Sequence, residues 1–399
     1  MRGAKPSSTL RTLVVALAVV MGGPVAASAQ PGGAPAETTN EPAAEPAMPL
    51  PPDAESVPLA PGRGEIVSIT SGGRRREFIL RMPVQGRTDA GAGPWPLVIA
   101  LHGAWQPARV FQSYLDLDDI ADREGFVVAY PKGLNLLWND GRGSVAGIMP
   151  ILQSRDDGAF ILGVKDLLVA QGIADPRRSY LMGFSNGGFL TAYMACRYAD
   201  SFAAFATMMM TAPKAYAETC RPSRPVPILL MNGTYDPIVP MFGRPTPGAE
   251  LMSAGESAGL FARLDGCNPP SVTRTAGASI TRWDSCADGT RVAFYEIEGG
   301  HQPPARAVGP MDTLASLVLG PRRSGMDAPQ EIWNFFRQYG DWPPPPGQAP
   351  APAGGAASAS GASPVPPAAP HGPAPHGIPP LPASPPLPLP SPLRPPGTP

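Results

Sequence analysis

Residues 179–188 read Ser179-Tyr180-Leu181-Met182-Gly183-Phe184-Ser185-Asn186-Gly187-Gly188. An apolar, strand-like run ends at Gly183 and a helix-compatible run begins at Asn186, so Ser185 has to sit in a turn too sharp to hold a loop. Glycines two before and two after the serine suit that turn, because a side chain at either position would collide with a neighbouring strand or helix where the backbone doubles back. The expected result is a serine in a strained turn, its hydroxyl presented above the edge of a sheet.

The flanking sequence alternates strand and helix. Glu65–Ile69 and Glu77–Met82, separated by Ser71-Gly72-Gly73, predict an antiparallel hairpin, and the consecutive Arg74, Arg75 and Arg76 read as its solvated edge. Leu97–Leu101 is a continuous apolar run of the buried parallel kind. Residues 107–124 then predict a helix, Phe126–Tyr130 a strand, Asp157–Gln171 a helix capped at Asp156-Asp157, and Ser179–Gly183 a strand. After the turn come a helix to about Tyr198, strands near Phe202–Met208 and Val226–Asn232, a helix within 249–264, a strand at Val292–Ile297 and a last helix from Pro329 to about Gln338. This order predicts an α/β architecture, a mostly parallel sheet with helices on both faces, with the serine after the fifth strand, as in the α/β-hydrolase fold.

Composition confines that core to the middle of the chain. Of 399 residues, 56 are proline, gathered mainly at the two ends, which leaves one globular stretch over 62–342. Arg2, Lys5 and Arg11 precede the apolar run Leu13–Met21 and the small residues Ala27-Ser28-Ala29, so 1–29 reads as a cleavable signal peptide. An uncleaved signal anchor is the alternative, and the run is short of the ~20 residues that cross a bilayer. The expectation is therefore a secreted or periplasmic protein with no membrane span after cleavage. No cysteine precedes Cys196, so a lipid-modified N-terminal cysteine is not expected. The Pro/Ala/Glu-rich 30–61 reads as a tether, and the nearly uncharged Pro-rich 343–399 reads as a disordered tail. A net charge of −1 with no basic run among aromatics excludes a nucleic-acid binder. In an oxidising compartment the four cysteines predict disulfides, with Cys196–Cys220 and Cys267–Cys286 favoured over the other two connectivities. A zinc site fits poorly, since the spacings are not Cys-x-x-Cys and no histidine is near in sequence.

The serine needs a base and an acid, each in a loop past a later strand. Asp236 falls in Gly233-Thr234-Tyr235-Asp236-Pro237 after the strand at 226–232, and His301 ends Glu298-Gly299-Gly300-His301 after the strand at 292–297. Only four histidines exist; His371 and His376 lie in the tail and His102 precedes the serine, so His301 alone stands in the right place. It would accept the serine proton and return it to the leaving group, with Asp236 holding the imidazole tautomer. The backbone amide of Asn186 and that of Ala104 or Trp105, after Leu101-His102-Gly103, would form the oxyanion hole. His102, which closes an apolar strand, reads first as a positional residue satisfying a local hydrogen bond and second as a substrate contact, and Trp138 is either a substrate contact or a core tryptophan.

Leu101-His102-Gly103, Gly183–Gly188, Asp200-Ser201-Phe202-Ala203-Ala204, Gly233–Pro240 and Glu298–His301 together resemble the secreted polyhydroxybutyrate depolymerase and feruloyl esterase group of α/β-hydrolases. The resemblance spans about 62–342. It implies a Ser185–Asp236–His301 triad, hydrolysis of carboxylic esters and no cofactor or metal, the substrate being a small or oligomeric ester such as a 3-hydroxyalkanoate oligomer or a hydroxycinnamoyl ester. In that group Trp138-Asn139 resembles a segment lining the approach. Two features depart from the pattern. Gln302-Pro303-Pro304 stands where the group has a residue followed by Trp-Pro-Gly, and Ala305–Met326 exceeds a minimal connection, with an apolar Thr313–Leu319 that suggests a mobile cover. A non-catalytic surface binding protein on the same scaffold and a serine peptidase are the competing readings.

Overall fold

A computed structural model describes residues 61–62, 64–84, 94–142, 155–246 and 249–340. The predicted leader, tether and tail lie outside these residues, apart from Pro61.

Among the described residues, twelve strands and eight α-helices follow one another: β1 Gly64–Ser71, β2 Arg74–Arg81, β3 Trp95–Leu101, α1 Ala108–Leu115, α2 Leu117–Glu124, β4 Val127–Pro131, α3 Asp157–Ala170, β5 Ala174–Phe184, α4 Asn186–Arg197, β6 Ala204–Met208, α5 Tyr216–Thr219, β7 Ile228–Gly233, β8 Pro245–Thr246, β9 Ala249–Glu250, α6 Ala254–Leu264, β10 Ser271–Thr275, β11 Ala278–Trp283, β12 Val292–Ile297, α7 Pro310–Leu319 and α8 Ala328–Phe336. Ten strands form one sheet in the order β1-β2-β4-β3-β5-β6-β7-β12-β11-β10. From β4 through β12 every neighbouring pair is parallel, and antiparallel hairpins flank that centre on both sides. This is the α/β-hydrolase order, with β3 and β4 exchanged in space relative to sequence.

Both faces of the central strands are apolar for a period-two reason. Leu97, Ile99 and Leu101 of β3 pack with Phe160, Val164, Leu190 and Phe261 from α3, α4 and α6, whereas Val98 and Ala100 pack with Phe111, Ile120, Trp333 and Phe336 from α1, α2 and α8. A strand covered by helices on both faces must be apolar at every position, which is why these strands read as unbroken apolar runs. The chain binds both disulfides in the favoured pairing, Cys196–Cys220 and Cys267–Cys286, which consumes every cysteine and removes the zinc alternative built on them. No helix among the described residues is long and apolar enough to cross a membrane.

Several local expectations change. The helix foreseen over 107–124 is two helices, broken at Asp116, which adopts a left-handed φ of 56°. The β10–β11 hairpin and helix α7 are elements the sequence pattern did not reveal. Arg76 is not part of a solvated edge: it is 3% exposed, its Nη2 lies 2.7 Å from Asp157 Oδ1, and its guanidinium sits 3.9 Å over the Phe160 ring. Arg155 also meets Asp157, at 3.1 Å, so a carboxylate flanked by two guanidiniums fastens the start of α3 to the hairpin. The partner lies 81 residues away in sequence, where no local pattern could announce it.

Candidate active site

The site lies past the carboxyl ends of the parallel strands. β5 delivers Ser185 into a turn with φ 52° and ψ −117°, a region an L-residue enters only under constraint. Two close approaches supply the constraint. A Cβ on Gly187 would lie 2.4 Å from the Leu101 carbonyl oxygen, and one on Gly183 would lie 2.2 Å from that of Gly187. The helix therefore starts against the end of β3, and only glycine permits the contact. Ser185 donates its backbone N–H to Met208 O at 2.8 Å, tying the turn to β6.

Asp236 and His301 arrive from β7 and β12, which are hydrogen-bonded neighbours. His301 Nδ1 is 2.7 Å from Asp236 Oδ2, and its Nε2 is 2.9 Å from Ser185 Oγ. A carboxylate can only accept, so Nδ1 carries the proton and, in the neutral ring, Nε2 offers its lone pair to the serine hydroxyl. The other carboxylate oxygen of Asp236 accepts the backbone N–H groups of Ile238 and Val239, both at 2.8 Å. Asp236 and His301 are each 5% exposed while Ser185 is half-buried, so the reachable end of the row is the hydroxyl. The structure thus brings the three sequence-identified residues into hydrogen-bonding succession.

The flanking residues sort differently. Trp105 donates its amide to Leu136 O at 2.8 Å, which commits that N–H elsewhere and leaves Ala104 as the second donor of the expected pair. His102 and Trp138 do not line the approach. Both are fully buried; His102 Nε2 accepts the Gly133 N–H at 3.0 Å, its Nδ1 meets Gly103 O at 2.7 Å, and the Trp138 indole donates to His102 O at 2.9 Å. Burial pulls the His102 pKa down to about 4, which keeps the ring neutral as this pattern requires. The pair forms the floor beneath the loop after β3, and its enclosure excludes contact with a ligand.

The segment after the histidine carries features the sequence did not disclose. Gln302, 1% exposed, accepts from the Tyr114 hydroxyl at 3.1 Å and donates to Gly320 O at 2.7 Å and Ser316 Oγ at 3.3 Å. Arg322 donates to Pro303 O, Tyr114 O and Asp312 Oδ1 and stacks 4.1 Å over the Tyr114 ring. Pro303, which stands where the resembled pattern has tryptophan, is held through its carbonyl by Arg322, next to the tether made by Gln302. The suggested cover is helix α7, held at its start through Asp312 and at its end through Leu319 O, which accepts the His301 N–H at 2.5 Å. Leu317 is 81% exposed on it. Asp140 and Arg142, on the loop after β4, also escaped the sequence reading, since Asp-Gly reads as a plain turn.

Comparison with known proteins finds esterases. The esterase PHB depolymerase family matches residues 86–218, which include Ser185. Feruloyl esterase B of Piromyces equi is 28% identical over 56% of this chain and 42% of its own length, and NocK of Nocardia uniformis subsp. tsuyamanensis, which bears an esterase name, is 27% identical over 72% of this chain and 87% of its own. Among solved structures, acetyl xylan esterase from Aspergillus awamori aligns with a TM-score of 0.42 and 14% identity over 58% of this chain and 92% of that one. The chain accordingly spans less than half the length of the first relative and most of the second. On the family match and these relatives, the chain is similar to the polyhydroxybutyrate depolymerase and feruloyl esterase group of α/β-hydrolases.

Proposed function

We propose that this chain is an exported serine esterase that hydrolyses carboxylic esters through an acyl-enzyme. The observation that carries the reading is the unbroken row Ser185 Oγ, His301 and Asp236 at 2.9 and 2.7 Å. Ser185 attacks the ester carbonyl while His301 takes its proton, and the developing oxyanion is received by the amides of Asn186 and Ala104. His301 then protonates the leaving alkoxide, and water enters by the same route to release the acid. Two disulfides support folding in an oxidising compartment.

The substrate class is an ester with an apolar acyl or alcohol part, either a 3-hydroxyalkanoate oligomer or a hydroxycinnamoyl ester. Exposed Tyr235 and Phe242 on the loop that bears Asp236, and Leu314 and Leu317 on α7, support an apolar partner at this end of the molecule. The test is Ser185→Ala assayed on p-nitrophenyl butyrate, for which turnover should fall by ~10⁴-fold or more with no change in circular dichroism. Turnover retained in that variant refutes the reading. A panel of hydroxybutyrate oligomers and methyl hydroxycinnamates then separates the two ester classes.

A further inference from the structure

Asn186 supplies one of the proposed oxyanion amides, and its side chain is fully engaged. Its Oδ1 accepts the Trp138 N–H at 2.8 Å; its Nδ2 donates to Trp138 O at 3.2 Å and to Asp140 Oδ2 at 2.6 Å. Asp140 is 2% exposed and is met from the other side by Arg142, with Nε 3.0 Å from Oδ1 and Nη2 2.6 Å from Oδ2. The Arg142 guanidinium lies 3.5 Å above the ring of Phe189, which belongs to the first turn of α4. A closed circuit therefore runs from the loop after β4 to the first residue of α4 and back through its first turn.

We propose that Asp140 is a positioning residue for the esterase reaction, acting through Asn186 to aim the Asn186 backbone N–H at the oxyanion, with Arg142 cancelling its charge. The inference rests on the proposed function above. The physical need comes from the strained turn. The peptide between Ser185 and Asn186 carries the donor, and its direction follows the unusual ψ of Ser185, which relaxes unless the surroundings over-determine it. Three hydrogen bonds on one buried amide supply that constraint, and the charge-assisted bond to Asp140 is the shortest of them. A bare carboxylate at this distance from a developing negative charge would oppose catalysis, which gives the two-point Arg142 contact its purpose.

The test measures kcat and KM separately for the full chain on p-nitrophenyl butyrate in Asp140→Ala, Asn186→Ala, the double variant and Arg142→Gln. Removing a whole oxyanion donor costs ~10²–10³ in kcat, so misaiming one should cost about 10- to 100-fold in Asp140→Ala, with KM within about twofold of the parent. The double variant should be no slower than Asn186→Ala alone, since both changes break one device. Arg142→Gln, which keeps Asp140 in place but uncovers its charge, should lower kcat about fivefold at constant KM. An unchanged kcat in Asp140→Ala, or losses that multiply in the double variant, overturns the proposal. If Asp140→Ala does not fold, an unchanged kcat in Arg142→Gln overturns it instead. Ser185→Ala assayed alongside separates the two readings: if it is inactive while Asp140→Ala keeps its kcat, the positioning role alone falls, and if it stays active the esterase reading falls first.

Discussion

The two halves of the triad are held by different means. Around Ser185 the constraint is backbone against backbone: a helix start pressed onto the end of β3, a positive φ, and one main-chain bond to Met208. Around His301 the constraint is a set of long-range tethers. The backbone N–H groups of Gly300 and His301 reach Pro321 O and Leu319 O, while Gln302 and Arg322 bind this segment to Tyr114 on α1. The nucleophile is thus placed by close backbone packing that its own glycines announce in the sequence, and the base by tethers to elements that nothing near it in sequence announces. Even there glycine marks the contact, since a Cβ on Gly300 would lie 2.2 Å from Leu319 O.

That contrast can be broken or sharpened by four substitutions, from the severest downward. Gly187→Ala places a methyl against the Leu101 and His102 carbonyls, and should cost more than about 4 kcal/mol or prevent folding, as read by urea denaturation. Wild-type stability in this variant would remove the steric account of the turn. Beneath the turn, His102 binds a proton only near pH 4 when folded and near 6.5 when unfolded. Its folded pKa is depressed, so the unfolded state gains protons first as pH falls, and stability is lost across pH 6.5 to 4 by up to about 3 kcal/mol. His102→Gln should flatten that slope, measured as the unfolding midpoint at pH 7 and pH 4.5.

On the base side the effects should be smaller and local. Arg322→Ala strands the Asp312 carboxylate and two carbonyls, at a cost of about 2 kcal/mol, and should raise hydrogen exchange in 310–320 while leaving 183–190 protected. Equal loss of protection in both stretches would mean that the halves are not separate units. Leu317→Ser, at a side chain 81% exposed, should change stability by less than about 0.5 kcal/mol but raise KM for long-chain p-nitrophenyl esters more than for the acetate. An unaltered chain-length profile would detach α7 from substrate recognition.

Legibility followed the same division. The Ser185 turn, the strands of the parallel centre, Asp236 past β7 and His301 past β12 were all readable, because continuous apolar runs, glycine spacing and strand-end position are local signals. The β10–β11 hairpin was not, because Ser271–Thr275 is exposed along its whole length and lacks the apolar alternation that announces a half-buried strand. Helix α7 hid because Gly309-Pro310 reads as loop punctuation and the mostly apolar run behind it is short, with only Thr313 and Ser316 to mark a polar side. His102 was readable as a positional residue because it closes an apolar strand, and its bonds to the Gly133 N–H and Gly103 O fit that reading, whereas burial in the assembled core decided between the substrate-contact and core readings of Trp138. The engagement of the Trp105 amide depends on where residue 136 folds, which no spacing near 105 reveals.

By itself the sequence determined a wound α/β sheet, the strained position of a single serine and the order of its acid and base, since each follows from sterics or periodicity within some ten residues. Only the tertiary structure decided that the Trp105 amide is spent on Leu136 O, that Gln302 and Arg322 fasten the segment after the histidine, and that Asp140 closes onto Asn186. Those are contacts between chain segments tens to hundreds of residues apart, whose energies arise when folding removes water from both partners at once.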